Sequence, residues 1–214
     1  LPEFLWLTNH FETLVSAVIW MPCTSATIAK QYRMVLDKYA NETSSVPEFV
    51  DWQGHDFSMR GMQSLESAIA SGLGFLVCSS GTDTLPTLQA AEYYYGSSDV
   101  AFSVPASEHA VMTAYGKENE IDSFSRILDL FPTGIVSMVS DQFDLWQVLT
   151  VFLPQLKDKI MSREGKAVFR PDSGDPADIL CGLNTRKDKT FSGDEVKSPA
   201  YKGVIELLWE VFGG

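Results

Sequence analysis

Strand-like apolar runs alternate along this chain with segments whose apolar residues recur every three or four positions. The strand-like runs are Gly74–Ser79 (GFLVCS), Val100–Val104 (VAFSV), Gly134–Ser140 (GIVSMVS) and Lys166–Phe169 (KAVF). Each leads into charged or hydroxyl residues. These are Gly81-Thr82-Asp83-Thr84, then Pro105 with Glu108-His109, then Asp141, and last Arg170-Pro171-Asp172-Ser173-Gly174. Helix-like segments follow the first three runs, at Leu85–Tyr95, Ser107–Tyr115 and Gln142–Leu153. Repeated strand–helix units build a parallel sheet, and the loops after the strands' C-terminal ends carry its chemistry. Asp83, His109, Asp141, Arg170 and Asp172 are therefore expected on one rim.

The remaining pattern is mostly helical. Phe11–Met21 reads as a buried helix, and Thr24 or Ser25 as the cap of a second one reaching Tyr39. Asn41–Pro47 is a polar loop, Phe49–Trp52 a short strand, His55–Gly61 (HDFSMRG) a loop and Met62–Ser71 a helix. Asn119–Phe131 aligns Ile121, Phe124, Ile127 and Phe131 on one stripe, and Asp141 is placed to cap the helix at Gln142. Asn184–Pro199 reads as a polar surface excursion before an amphipathic helix, Tyr201–Phe212. Four parallel strands are about half of the roughly eight that a closed barrel needs. The expected fold class is α/β, a partial (β/α) barrel of parallel strands with flanking helices, in a single domain covering 1–214. The chain lacks an initiator Met and ends on a helix-like segment and Gly213-Gly214, so it reads as an internal piece of a longer protein.

Composition narrows the partners. A net charge of −12 argues against a broad basic surface, so no nucleic-acid partner is expected. A local pocket for a phosphorylated small molecule stays open, because a few positioned Arg suffice. Cys23, Cys78 and Cys181 are scattered without metal-ligand spacing, which fits reduced thiols in a cytoplasmic protein. Cys78 is expected in the core. The apolar stretch Leu14–Pro22 is too short for a bilayer, so no membrane partner is expected.

Several residues could carry chemistry. Arg170 offers a planar fork of donors for phosphate or carboxylate, and Asp172 points to the same side if the backbone stays extended. Asp172 could take sugar hydroxyls or Mg²⁺, or the pair could simply brace a strand end. His109 near a helix start could be a nucleophile or proton carrier, or a half-exposed helical residue. Asp141 could cap a helix, and Asp83 could bind a ligand donor or cap the next helix. Phe57 could stack on a flat ring and Arg60 could hold an anion, or both could belong to a packed connection. GxGxxG, GxxxxGK[ST], HExxH and GxSxG are absent.

HDFSMRG, SSGTDT, YYYG, SVPASEH, VSDQFD and FRPDSGDP, in this order and spacing, resemble the nicotinamide phosphoribosyltransferase family, a type II phosphoribosyltransferase group. WLTNHFETLV and MPCTSATIAK fit the same family. The resemblance implies a partial barrel of the type II kind. It also implies transfer of phosphoribose from 5-phosphoribosyl 1-pyrophosphate to nicotinamide, giving nicotinamide mononucleotide and pyrophosphate in NAD salvage. Phe57 would stack on the nicotinamide ring with Arg170 beside it, and Asp83 would accept from the carboxamide. Arg60 and Arg170 would bind the diphosphate, and Asp172 the ribose hydroxyls. His109 would take a phosphoryl group from ATP, with Asp141 orienting it and lying near Mg²⁺ that arrives with pyrophosphate. A cytoplasmic homodimer is implied at full length. Nicotinate as acceptor and a non-catalytic binding module remain the alternatives, and Asp83 favours an amide over an acid.

Overall fold

The computed structural model of this chain describes residues 2–213. It divides into two compact units, Leu1–Ser103 and Val104–Gly214. Both mix helices with parallel strand pairs, and no closed barrel is present among the described residues.

The first unit is dominated by α1, a 39-residue helix from Leu5 to Thr43. The expected break between two helices is absent, and α1 continues through Pro22. An interior proline costs an α-helix one hydrogen bond and a clash with the preceding turn, and the helix persists here in spite of both. Ser25, expected as a cap, instead donates its hydroxyl to the Ser71 carbonyl at 2.6 Å. The expectation of burial also fails: Ala29 and Ala40 are the buried residues of α1, while Phe11 and Trp20 are 58% and 73% exposed. The helical stretch Pro2–Thr43 is long and apolar enough to cross a bilayer by length and composition, a test that core helices of soluble proteins and signal sequences also pass. That revises the expectation drawn from Leu14–Pro22 alone.

After α1, a single helical turn, α2 (Val50–Gln53), replaces the strand expected at Phe49–Trp52. The strand comes next, β1 (His55–Asp56), and the 3-10 turn Ser58–Gly61 follows. Ser64 caps α3 (Leu65–Leu76), its hydroxyl accepting from the Ser67 amide at 3.2 Å. The run GFLVCS is therefore not a strand but the end of α3 and the turn after it. A short apolar run fits a buried helix as well as a strand, and periodicity alone does not separate them. What decides is packing against α1. Ala68, Ser71, Gly72 and Gly74 form the buried face of α3, and a Cβ on Gly74 would run into the Pro22 carbonyl oxygen. Cys78 accordingly lies half-buried in a turn rather than in a strand core. The strand proper is β2 (Gly81–Thr82), parallel to β1 with His55 opposite Gly81. VAFSV contributes one bridging residue, Phe102, on the other side of Gly81. Helix α4 (Pro86–Tyr95) completes this unit, ending on Gly96 in the left-handed region.

The second unit holds the larger core. Its strands β3 (Thr133–Val139) and β4 (Glu164–Arg170) pair in parallel and in register from Thr133–Glu164 to Val139–Arg170. Ala106 bridges Ser137 on the far side of β3. Helix α5 (His109–Thr113) and helix α6 (Glu120–Leu130) precede β3. The segment between β3 and β4 is capped by Asp144, not Asp141: Asp144 Oδ1 accepts from the Trp146 and Gln147 amides at 3.0 and 3.2 Å. It starts as α7 (Leu145–Gln147), widens into a π-helical turn at Val148–Phe152, and continues as α8 (Leu153–Met161). Pro154 lacks the N–H that a regular α turn would use there. Helices α9 (Pro176–Cys181) and α10 (Pro199–Phe212) close the unit. Met112, Phe124, Leu128, Val136, Met138, Leu149, Leu153 and Phe169 lie within one apolar cluster, to which Val204 and Leu207 of α10 also belong.

Candidate functional site

The two parallel pairs each end on polar side chains, and each unit gathers its own group. In the first unit, the β1–β2 register brings His55 close to Asp83, two residues past Gly81. His55 Nε2 lies 3.2 Å from Asp83 Oδ2. Ser103 donates its hydroxyl to Asp83 Oδ1 at 2.5 Å, and the Asp83 amide donates to the Asp56 carbonyl at 2.9 Å. Asp83 does not cap α4; it is held at the strand end with its carboxylate facing polar groups. A carboxylate has about four lone-pair sites, so two donors leave it able to accept from a ligand. Phe57 is 56% exposed and tilts against His55, ring centroids 4.8 Å apart. Arg60 follows in the 3-10 turn, with its side chain exposed.

In the second unit Asp141 is the hub. Its side chain is 7% exposed. Oδ1 lies 3.2 Å from His109 Nε2, while Oδ2 accepts from the Asp172 amide at 2.9 Å and the Ser173 hydroxyl at 2.6 Å. Burial pushes the Asp141 carboxyl up, but Ser173, Asp172 and His109 together outweigh it and hold the group below its ordinary value. Charge on Asp141 is thus stabilised where it faces His109. Glu108 caps α5, accepting from the His109 amide at 3.1 Å, and its carboxylate is 3.9 Å from His109 Nδ1. Asp172 pairs with Arg170, and its other oxygen is 4.0 Å from His109 Nε2. Arg170 and Asp172 therefore lie on the same side, as expected.

The structure brings His109, Asp141, Arg170 and Asp172 together in one unit; in the other, His55 joins Phe57 to Asp83, and Arg60 lies in the turn that follows Phe57. Three contributors were not assigned a role from sequence: His55 and Ser103 on Asp83, and Ser173 on Asp141. The His55 signal was its place at the head of HDFSMRG, but its partner followed only from the strand register. Ser173 sits inside RPDSG and becomes meaningful once Asp141 is next to it. No group of three or more His, Cys, Asp or Glu residues placed to hold a metal ion occurs among the described residues.

The site strings lie within a sequence that matches known proteins along almost its whole length. The model of the nicotinate phosphoribosyltransferase (NAPRTase) family matches residues 52–214. A protein of Acinetobacter baylyi named nicotinamide phosphoribosyltransferase is 47% identical over 221 residues, covering 99% of this chain and 42% of the relative. One of Mycoplasma pneumoniae with the same name is 43% identical, covering 99% of this chain and 43% of the relative. A third, from Xanthomonas campestris pv. campestris, is 35% identical over 92% of this chain. The chain thus spans less than half the length of these relatives. With a family match across residues 52–214 that includes both polar groups, the chain belongs to the nicotinate phosphoribosyltransferase (NAPRTase) family.

Proposed function

We propose that this chain is part of an enzyme that transfers phosphoribose from 5-phosphoribosyl 1-pyrophosphate to nicotinamide, yielding nicotinamide mononucleotide and pyrophosphate in NAD salvage. The observation that carries the reading is Asp83, a carboxylate held at a strand end by His55 and Ser103. Such an acceptor suits an amide NH₂ and repels the carboxylate of nicotinate. The names of the relatives support the same base. Phe57, exposed beside His55, supplies a face for the pyridine ring. Arg60 and Arg170 are the cations for the diphosphate, and Asp172 the acceptor for ribose hydroxyls. The pyridine nitrogen attacks the ribose C1′ as the bond to pyrophosphate breaks, so no side-chain nucleophile on C1′ is needed. Mg²⁺, bound as a complex with pyrophosphate, supplies charge neutralisation of the leaving group.

His109 receives the γ-phosphoryl of ATP: a P–N bond forms, the β–γ P–O bond breaks and ADP leaves. With Asp141 accepting from Nε2–H, the lone pair resides on Nδ1, and Asp141 stabilises the cationic ring that phosphorylation creates. The protein would be a cytoplasmic homodimer at the length of its relatives, and residues 1–214 would form one incomplete α/β-barrel domain. Assay of that full-length protein with phosphoribosyl pyrophosphate and either base tests the reading. Mononucleotide formation from nicotinamide in preference to nicotinate is expected. Preference for nicotinate would replace the base assignment, and phosphoribosyl pyrophosphate binding without turnover would leave a binding module.

A further inference from the structure

Glu120, the first residue of α6, is 0% exposed. One carboxylate oxygen, Oε1, accepts from the Gln142 side-chain amide. The other, Oε2, is buried without a partner, and so is the remaining amide atom, Gln142 Oε1. The two side chains thus share one hydrogen bond and leave two buried acceptors over. An ionised carboxylate at a helix start would normally take a backbone N–H, and Oε2 takes none. Buried acceptors without donors are costly. One proton on Oε2 satisfies both at once. The acid O–H then donates to Gln142 Oε1 while Gln142 Nε2–H donates to Glu120 Oε1, closing a ring of two hydrogen bonds.

We propose that Glu120 is a neutral carboxylic acid in a cyclic acid–amide pair with Gln142, and that this pair positions Asp141, the residue next to Gln142. Burial raises the Glu120 carboxyl above its ordinary value and outweighs the opposing pull of the Gln142 amide; Asp144, from the loop before α7, adds to the rise, and Lys117, from the turn before α6, opposes it. Ser123 fixes the same turn by donating its hydroxyl to the Glu120 carbonyl at 2.6 Å. Asp141 is held at its carboxylate by His109, Asp172 and Ser173. The pair anchors its backbone from the α6 side. Glu120 is thus a positioning residue, and its effect on turnover rests on the reading of His109 and Asp141 given above.

The experiment uses the full-length protein and three variants, Glu120→Gln, Glu120→Ala and Gln142→Ala. The infrared difference between wild type and Glu120→Gln at pH 7 is expected to carry the C=O band of a protonated carboxyl. A carboxylate band alone overturns the neutral acid. Glu120→Gln keeps two hydrogen bonds as an amide–amide ring, so it should retain wild-type kcat and an unshifted His109 Nε2–H resonance in nitrogen-labelled protein. Glu120→Ala and Gln142→Ala should shift that resonance and lower kcat about tenfold, since either removes the whole ring, with KM for the base unchanged. An unmoved resonance in both alanine variants overturns the positioning role, as does a Glu120→Gln variant as impaired as Glu120→Ala. If Glu120→Ala does not fold, Gln142→Ala gives the same reading. The infrared and resonance measurements need no turnover, so they decide the pair even if the transferase assay fails.

Discussion

The units Leu1–Ser103 and Val104–Gly214 bury different things. In the second, large side chains such as Phe124, Met112 and Leu149 are fully enclosed. In the first, the buried hydrophobic residues among those described are Ala29, Ala40, Ala68, Ala91 and the larger Val50, while Trp6, Leu14 and Trp20 of α1 stand more than half exposed. Hydrophobic stabilisation scales with the apolar area removed from water, at ~25 cal/mol per Å². The second unit therefore carries its own driving force. The first relies on close backbone approach between α1 and α3, where small residues gain packing but little burial. Exposed apolar surface on this scale marks a face built for contact.

The largest expected effect separates the chemistry of the two units. His109→Ala in the full-length enzyme should abolish ATP hydrolysis and leave slow, ATP-independent transfer. Acid-labile phosphate persisting on that variant would remove His109 from the role. Asp83→Asn should leave ATP hydrolysis in place and cut kcat/KM for nicotinamide roughly tenfold, the loss of ~1–3 kcal/mol from one hydrogen bond to a charged acceptor. Equal kcat/KM values for both bases, before and after the change, would make Asp83 structural.

The packing contrast gives the next effect. Phe124→Ala removes a fully buried ring that contacts Phe169 at a 6.3 Å centroid distance, and should cost ~3–5 kcal/mol. Trp20→Ala should change the stability of the isolated chain by about 0.5 kcal/mol or less, as surface substitutions do. Denaturation followed by hydrogen exchange reads each unit separately. A Trp20→Ala loss matching that of Phe124→Ala would mean that α1 is covered in solution.

Glycine positions sharpen the contrast further. Gly74→Val should push α3 off α1, at ~1–3 kcal/mol, since the colliding atom is the Pro22 backbone carbonyl and a backbone yields poorly. Gly203→Ala in α10 should cost about 1–3 kcal/mol for another reason: its φ is +82°, and a Cβ would meet the Gly182 amide nitrogen. Amide exchange in α1 should respond to the first and not the second.

The smallest effect is in pH dependence, and it runs in opposite directions within the second unit. Asp141 sits below its ordinary 3.8, so its contribution is present above that value and lost as pH falls through the folded one. Glu120 sits above its ordinary 4.5, so its contribution is present below that value and lost as pH rises through the folded one. Asp141→Asn should flatten the acid limb of stability against pH, and Glu120→Gln the limb above it. A Glu120→Gln profile parallel to wild type would contradict the raised carboxyl.

The sequence by itself determined the family, the strands β3 and β4, and the residue types of both polar groups. GIVSMVS and KAVF lie between clear turn signals, and VSDQFD and RPDSG follow them directly, so local pattern and tertiary role agree. It did not determine α1 or α3. GFLVCS reads equally as strand or helix, and only the approach of Gly74 to Pro22 and the Ser25–Ser71 hydrogen bond select the helix. The cap before α7 fell to Asp144 because Asp141 was taken by His109, Asp172 and Ser173, partners some thirty positions away. Likewise His55 meets Asp83 only through the β1–β2 register. Periodicity and capping propensity are read within a few residues, whereas a side chain's final hydrogen-bond partner depends on which distant strand end the fold sets beside it.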